Sequence, residues 1–373
     1  MPEPKPSLIL TGNNASPAIA HTLEAANGFS SIPASIGQFG SSEPFVELFH
    51  GQESDAVANA AALKNAKTYV VQSTNEPASE HCQHLLLMAH TLKHYGANEV
   101  TAVMPFAAFA RQDREFKNRF ASVAAEFFPK QLKAAGVDRV ITVTPHSEAA
   151  VKFYQNEFGN RFTALSATQL FADDIKKRFG EDLPNVMIGA PDGADKPLDA
   201  GQQRARELCD AVFGAGNHNA SLFKISKTHI GVSDTKITGF EGDVIGKHCV
   251  IVDDMIDGGS TIINAASLLK ARGAASVTAY ATHGILSNNA LEKILSVKPD
   301  GMTPAIDRLI VTDTIPSVEQ KIATLAEKQP TLALQAQVLS VGPMVAAEIA
   351  RQDAIELGFA DSIKPGGQQR LTS

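Results

Sequence analysis

Cysteine is scarce. Cys82, Cys209 and Cys249 are the only three in 373 residues, and their spacing matches neither a zinc site nor a disulfide framework. An odd number, two of them in apolar surroundings, points to reduced core thiols and a cytosolic setting. Long apolar runs are missing too, so no stretch reads as a membrane span. The opening Met-Pro-Glu-Pro-Lys-Pro-Ser is too polar and too rich in proline for a secretory signal. Basic residues are not in excess. Thirty-three Lys and Arg against 40 Asp and Glu leave a net charge of −7, which speaks against nonspecific nucleic-acid binding. Short-period repeats are absent. What remains is an ordinary globular composition, 44% hydrophobic and 20% charged, in a chain long enough for two domains. The expectation is a cytoplasmic protein without a nucleic-acid or membrane partner.

Strand-like and helix-like patterns alternate along the chain. Strands are expected at Ser7–Leu10, Tyr69–Val71, Val100–Met104 and Val140–Val143, with helices at Glu80–Tyr95 and Arg119–Ala135 between them. Asn13 to Phe45 reads only as short helices and loops. Near Ala164 the alternation starts again. Thr168–Phe179 and Gln202–Phe213 read as helices, and Val186–Ile188, Ser221–Ile225, Val277–Ala281 and Leu309–Val311 as strands. A last helix runs from Met344 to Leu357, and a polar tail from Gly358 to Ser373 is expected to fray. Such alternation favours parallel sheets covered by helices on both faces. Two α/β domains are expected, residues 1–163 and 164–373.

The most informative stretch is Val250 to Thr261, Val-Ile-Val-Asp-Asp-Met-Ile-Asp-Gly-Gly-Ser-Thr. Cys249 to Val252 has the length and composition of a buried strand. Asp253 and Asp254 fall where it would end. Asp257, Gly258, Gly259, Ser260 and Thr261 follow, and then Ile262, Ala265, Ala266 and Leu269 mark one helical face, with Gly273 placed as its C-terminal cap. Two glycines let the backbone approach a ligand closely, and a helix start offers N–H groups and a positive dipole end to phosphate. Paired acids accept hydrogen bonds from sugar hydroxyls or hold a divalent cation. The arrangement reads as a cradle for a sugar phosphate. The plainer alternative is a strand-to-helix turn whose acids are merely solvated.

This stretch resembles the phosphoribosyl-pyrophosphate loop of type I phosphoribosyltransferases and ribose-phosphate diphosphokinases. A second stretch separates the two. Ala110-Arg111-Gln112-Asp113-Arg114, inside a segment with four cations between Arg111 and Arg119, resembles the ATP-binding signature of the diphosphokinases. Phe49-His50-Gly51-Gln52-Glu53, Val70-Val71-Gln72-Ser73, Ala281-Thr282-His283-Gly284-Ile285 and Val311-Thr312-Asp313-Thr314-Ile315-Pro316 resemble further family segments, in order. The resemblance implies two stacked α/β domains of phosphoribosyltransferase type, each with a mostly parallel sheet flanked by helices. It also implies transfer of the diphosphoryl group of ATP to the 1-hydroxyl of ribose 5-phosphate, with Mg2+, in a homo-oligomer built from dimers.

Roles follow residue by residue from that resemblance. Asp253 and Asp254 would bind the ribose hydroxyls, and Asp257 to Thr261 the 5-phosphate. Phe49, Glu53, Arg111 and Gln112 would hold the nucleotide, Phe49 and Glu53 across a subunit contact. His146 and Asp192 would bind the metal. Lys227 and His229 match the family's catalytic Lys-x-Arg on a mobile lid expected between Lys227 and Gly246, with Lys224 a competing choice for the lysine. The chain departs from the family pattern at His229, at Gly51, at Phe116, at Thr144-Pro145 before His146, and around Asp192, where it is one residue shorter. An acceptor larger than ribose 5-phosphate, such as ADP-ribose, or an inactive regulatory paralogue, are the alternatives.

Overall fold

The computed structural model describes residues 7–115, 120–191, 200–216, 221–229 and 235–356. The expected metal ligand Asp192 lies outside the described residues, as do Phe116, Lys117, Arg119 and the polar tail. Two compact units make up the chain. One takes residues 7–166, 314–316 and 340–356, the other 167–313 and 317–339. The junction falls just past the expected residue 163. The last helix, expected in the second domain, belongs to the first unit.

The first unit is built on a six-stranded sheet in which every pairing is parallel. From edge to edge it runs Ser30–Ser31, Ser7–Thr11, Lys67–Val71, Glu99–Met104, Arg139–Val143 and Phe162–Leu165. Its central strands are buried along nearly their whole length, as parallel strands under helices must be. The helix Ala78–His94 packs Leu85, Met88, Ala89 and Leu92 into this core, the face expected from the spacing. Each large apolar side chain so buried contributes about 1.5–3 kcal/mol. The helix expected from Arg119 begins only at Ala124. Two antiparallel strands, Ala34–Gln38 and Pro44–Leu48, occupy the stretch read as loops. They are short and only half buried, so they carry no clear two-residue period.

Ion pairs tie the last helix, Gly342–Glu356, to the sheet of the same unit. Lys67, which opens its strand, sits 2.8 Å from Asp353 and 2.6 Å from Glu356, and Arg139 lies 2.9 Å from Glu356. Buried Glu348 accepts two 2.7 Å bonds from Arg351. The same helix packs on Pro17–Asn27 near the start of the chain.

The second unit carries a five-stranded sheet, again wholly parallel, ordered Ala336–Leu339, Arg308–Thr312, Ser276–Gly284, His248–Ile256 and Val186–Gly189. The helices Thr168–Phe179 and Ala200–Phe213 pack against it through Phe171, Ile175, Leu208, Cys209 and Val212. Residues 224–229 and 235–241 form an antiparallel pair, where the sequence suggested a lid without periodicity. Ile225 pairs with Phe240 there, and a register shift between Ser226 and Lys227 breaks the alternation that would have revealed it. No helix among the described residues is long and apolar enough to cross a membrane.

Candidate active site

The second unit's site grows from the strand His248–Ile256. Its start, Cys249 to Val252, is wholly buried and apolar. The strand does not stop before the acids, as expected, but runs through Asp253 and Asp254 to Ile256. Pairing with Ser276–Gly284 carries it that far, whereas the register with Val186–Gly189 ends at Ile251. The two carboxylates thus lie past the shorter neighbour, at the carboxyl ends of the strands, the edge where open α/β sheets bind ligands.

A cation from the helix Ala200–Phe213 meets them there. Arg204 sits with Nη1 3.2 Å from Asp253 Oδ1 and Nη2 3.3 Å from Asp254 Oδ1. Successive side chains of a strand point to opposite faces, yet one guanidinium reaches both carboxylates. The backbone N–H of Asp254 also donates to Asp253 Oδ1, at 2.9 Å. Arg204 escaped the sequence reading. The available signal was its place one turn before Leu208, beside the buried stripe of Ala205, Leu208, Cys209 and Val212.

Past the strand, Gly259 holds φ at +77° and leads into the helix Ser260–Ala271 without a side-chain cap. A Cβ on Gly259 would lie 2.6 Å from Ile294 Cγ1, whereas one on Gly258 would meet nothing within 4 Å. One glycine is therefore required by conformation and packing, and the other leaves open space in front of the loop. The helix start presents backbone N–H groups and its positive dipole end to that space. Thr261 lies in its first turn, and Ile262, Ala265, Ala266 and Leu269 are buried, as expected. Gly273 follows the last turn at φ +89°.

Neighbouring segments brace the loop. Ser287 Oγ donates to Asp257 Oδ1 at 2.5 Å, and Lys293 Nζ donates to Ser260 Oγ at 3.1 Å. Ser287 is flanked by Leu286 and Asn288, both in the left-handed region at φ +50° and +55°. Backbone strain of this kind costs about 1–3 kcal/mol per residue and persists only where surroundings impose it.

Lys227 and His229 stand on the 224–229 strand, opposite Ile237 and Thr235. Their side chains lie outside what the structure describes. The register shift falls between Ser226 and Lys227.

The first unit places its expected residues on three loops, and each loop has a strained residue. Phe49, at φ +56°, ends the Pro44–Leu48 strand. Phe109, at φ +64°, precedes exposed Arg111 and Gln112 at the carboxyl end of Glu99–Met104. Gln112 is held by Ser122 Oγ, which donates to its Oε1 at 2.7 Å. Thr144, at φ +41°, precedes half-buried His146 at the end of Arg139–Val143, and Ser147 then caps the helix Glu148–Phe158. Glu53 starts a short turn after Phe49. Among the described residues no group of three or more His, Cys, Asp or Glu is placed to hold a metal. All three cysteines are buried thiols, and burial pushes each up to about 12, so none is a nucleophile at neutral pH.

Comparison with known proteins points to one family. Residues 8–136 match the family described as the N-terminal domain of ribose phosphate pyrophosphokinase, and residues 228–338 the phosphoribosyl synthetase-associated domain. A ribose-phosphate pyrophosphokinase of Marinomonas sp. (strain MWYL1) is 32% identical over 315 residues, 84% of this chain and 88% of that one. One from Bradyrhizobium diazoefficiens is 30% identical over 350 residues, 94% of this chain and 96% of that one. The crystal structure of phosphoribosylpyrophosphate synthetase from Mycobacterium smegmatis superposes with a TM-score of 0.73 at 26% identity, covering 95% of this chain and all of that one.

Proposed function

The chain belongs to the ribose-phosphate pyrophosphokinase family, and on that premise we propose that it transfers the diphosphoryl group of ATP to the 1-hydroxyl of ribose 5-phosphate. The products are phosphoribosyl pyrophosphate and AMP. The observation that carries the reading is the acid pair, glycine loop and uncapped helix start gathered at the carboxyl edge of one parallel sheet. The names shared by the relatives favour ribose 5-phosphate over a larger acceptor, and an enzyme over an inactive paralogue.

Such a transfer is mainly a matter of positioning and charge stabilisation. Asp253 and Asp254 accept from the 2- and 3-hydroxyls and fix the sugar. Asp257 to Thr261 enclose the 5-phosphate with backbone N–H groups, and Lys293 adds a cation beside Ser260. Arg111 and Gln112 bind the nucleotide, together with Phe49 and Glu53 from a neighbouring subunit of a homo-oligomer built from dimers. Lys227 stabilises the charge that develops as the bond to AMP breaks, and His229 takes the place of the second family cation. Mg2+ is the proposed metal, and when bound it would neutralise charge on the phosphates of ATP. His146 and Asp192 are proposed as its ligands, completed by water and phosphate oxygens, the donors this ion prefers.

The test is AMP release from ATP, magnesium and ribose 5-phosphate, followed by mass spectrometry of the sugar product. AMP and a product heavier by one diphosphate group are expected. A parent enzyme that forms neither would refute the reading. Mixing Glu53→Ala with Arg111→Ala subunits should restore activity, since hybrid sites are intact. Mixed oligomers that stay inactive would place each site within one subunit.

A further inference from the structure

Arg204 is the best-placed cation of the second unit that the sequence motif does not contain. Its side chain is 14% exposed, and it meets both acids through different nitrogens. On Asp253 the oxygen that Arg204 meets also accepts from the Asp254 backbone. A guanidinium is a planar fork whose nitrogens keep a fixed separation. Two carboxylates gripped by one fork are fixed relative to each other as well as to the strand. A pair of neighbouring sugar hydroxyls likewise needs two acceptors at a fixed separation.

We propose that Arg204 is a positioning residue that fixes the carboxylates of Asp253 and Asp254 relative to each other, so that the pair meets the two hydroxyls of the vicinal 2,3-diol together. Arg204 thereby sets the preference for a sugar that carries both hydroxyls. The inference deepens the proposed function and rests on its assignment of the acid pair to the ribose. The guanidinium also supplies positive charge next to two adjacent carboxylates, which would otherwise repel each other before a ligand arrives.

A purely structural ion pair would behave differently. Losing it would weaken the helix–sheet contact and lower activity toward every acceptor alike. Losing a positioning fork lowers activity most where both hydroxyls are used. The experiment compares kcat/KM for ribose 5-phosphate and for 2-deoxyribose 5-phosphate in the parent, R204M, R204K and R206M, with ATP and magnesium saturating. Arg206 is exposed on the same helix and serves as the control. R204M is expected to lose about tenfold to hundredfold toward ribose 5-phosphate, the range for hydrogen bonds to charged groups. It should lose much less toward the deoxy sugar, so the ratio between them narrows. R204K should recover part of the ratio, R206M should match the parent, and the KM for ATP should stay within about twofold.

An unchanged ratio in folded R204M and R204K would overturn the role of Arg204, as would an equal narrowing in R206M. Should R204M not fold, R204K carries the same comparison. A parent that forms no AMP from ribose 5-phosphate would instead refute the proposed reaction, so the two failures are told apart.

Discussion

Gly259→Ala is the sharpest perturbation of the phosphate loop, because two separate costs can be read from its position. The first is conformational. A residue with a Cβ at φ +77° pays about 1–2 kcal/mol for the left-handed region. No movement of a neighbour relieves this. The second is steric. The new methyl would lie 2.6 Å from Cγ1 and 2.8 Å from Cδ1 of Ile294, itself wholly buried. Overpacking of this kind costs about 1–3 kcal/mol. Together they give about 2–5 kcal/mol, which the loop either absorbs as lost stability or escapes by moving. Movement would pull the backbone N–H groups off the 5-phosphate, and each 1.4 kcal/mol lost from binding is about a tenfold rise in KM. The assay is the KM for ribose 5-phosphate together with the guanidinium midpoint, for Gly259→Ala, Ile294→Ala and the double variant. Ile294→Ala alone should cost about 2–5 kcal/mol through its cavity. In the double variant the methyl fills space that Ile294 vacates, so its cost should fall short of the sum by about 1–3 kcal/mol, while the conformational part survives. Strict additivity, or a Gly259→Ala enzyme with parental KM and midpoint, would refute the reasoning.

Asp254→Asn should lower kcat/KM by at least about a hundredfold with far-UV circular dichroism retained; parental kinetics at saturating magnesium would sink the sugar-binding role of the pair. Lys293→Met should raise the KM for ribose 5-phosphate a few-fold at constant kcat, with the difference shrinking in high salt and Lys293→Arg restoring the parent; a change in kcat alone would contradict a binding role. Glu356 gives a pH test. Burial alone would raise its carboxyl, but the Lys67 hydrogen bond and the charges of Lys67, Arg139 and Arg161 hold it below the ordinary value. Its contribution is therefore present above the unfolded value of about 4.3 and lost as pH falls through the folded one. Glu356→Gln should melt below the parent at neutral pH by the equivalent of at most about 1 kcal/mol, and the gap should close as pH falls through the folded value. A gap that persists or widens in acid would mean the difference is not electrostatic.

How far the sequence reaches depends on what each element buries. The helix Ala78–His94 and the central strands were legible because their apolar spacing is the packing itself. The phosphate loop was legible because its glycines and acids have few other uses at a strand end. The half-exposed Ala34–Gln38 and Pro44–Leu48 pair was not, since neither face is buried enough to select residue types. The extension of the organising strand to Ile256 was hidden by its acids, which read as an end although the Ser276–Gly284 partner continues beside them. Arg204 was hidden for another reason. Its meaning lies in two carboxylates 49 and 50 positions away, and a helical arginine next to an apolar stripe is ordinarily a solvated one.

The membership of the last helix has a consequence for synthesis. Chains leave the ribosome from the N-terminus, and most first domains can finish folding while the rest is being made. Here the first unit stays incomplete at Ser166, because the helix that covers Pro17–Asn27 and pairs with Lys67 ends at Glu356. Roughly 190 further residues must be added first, about 10–40 s at ordinary elongation rates of ~5–20 residues per second. The second unit, whose residues all precede the last helix, can close earlier. The half that is started first is thus the one that needs the last-made helix to be complete.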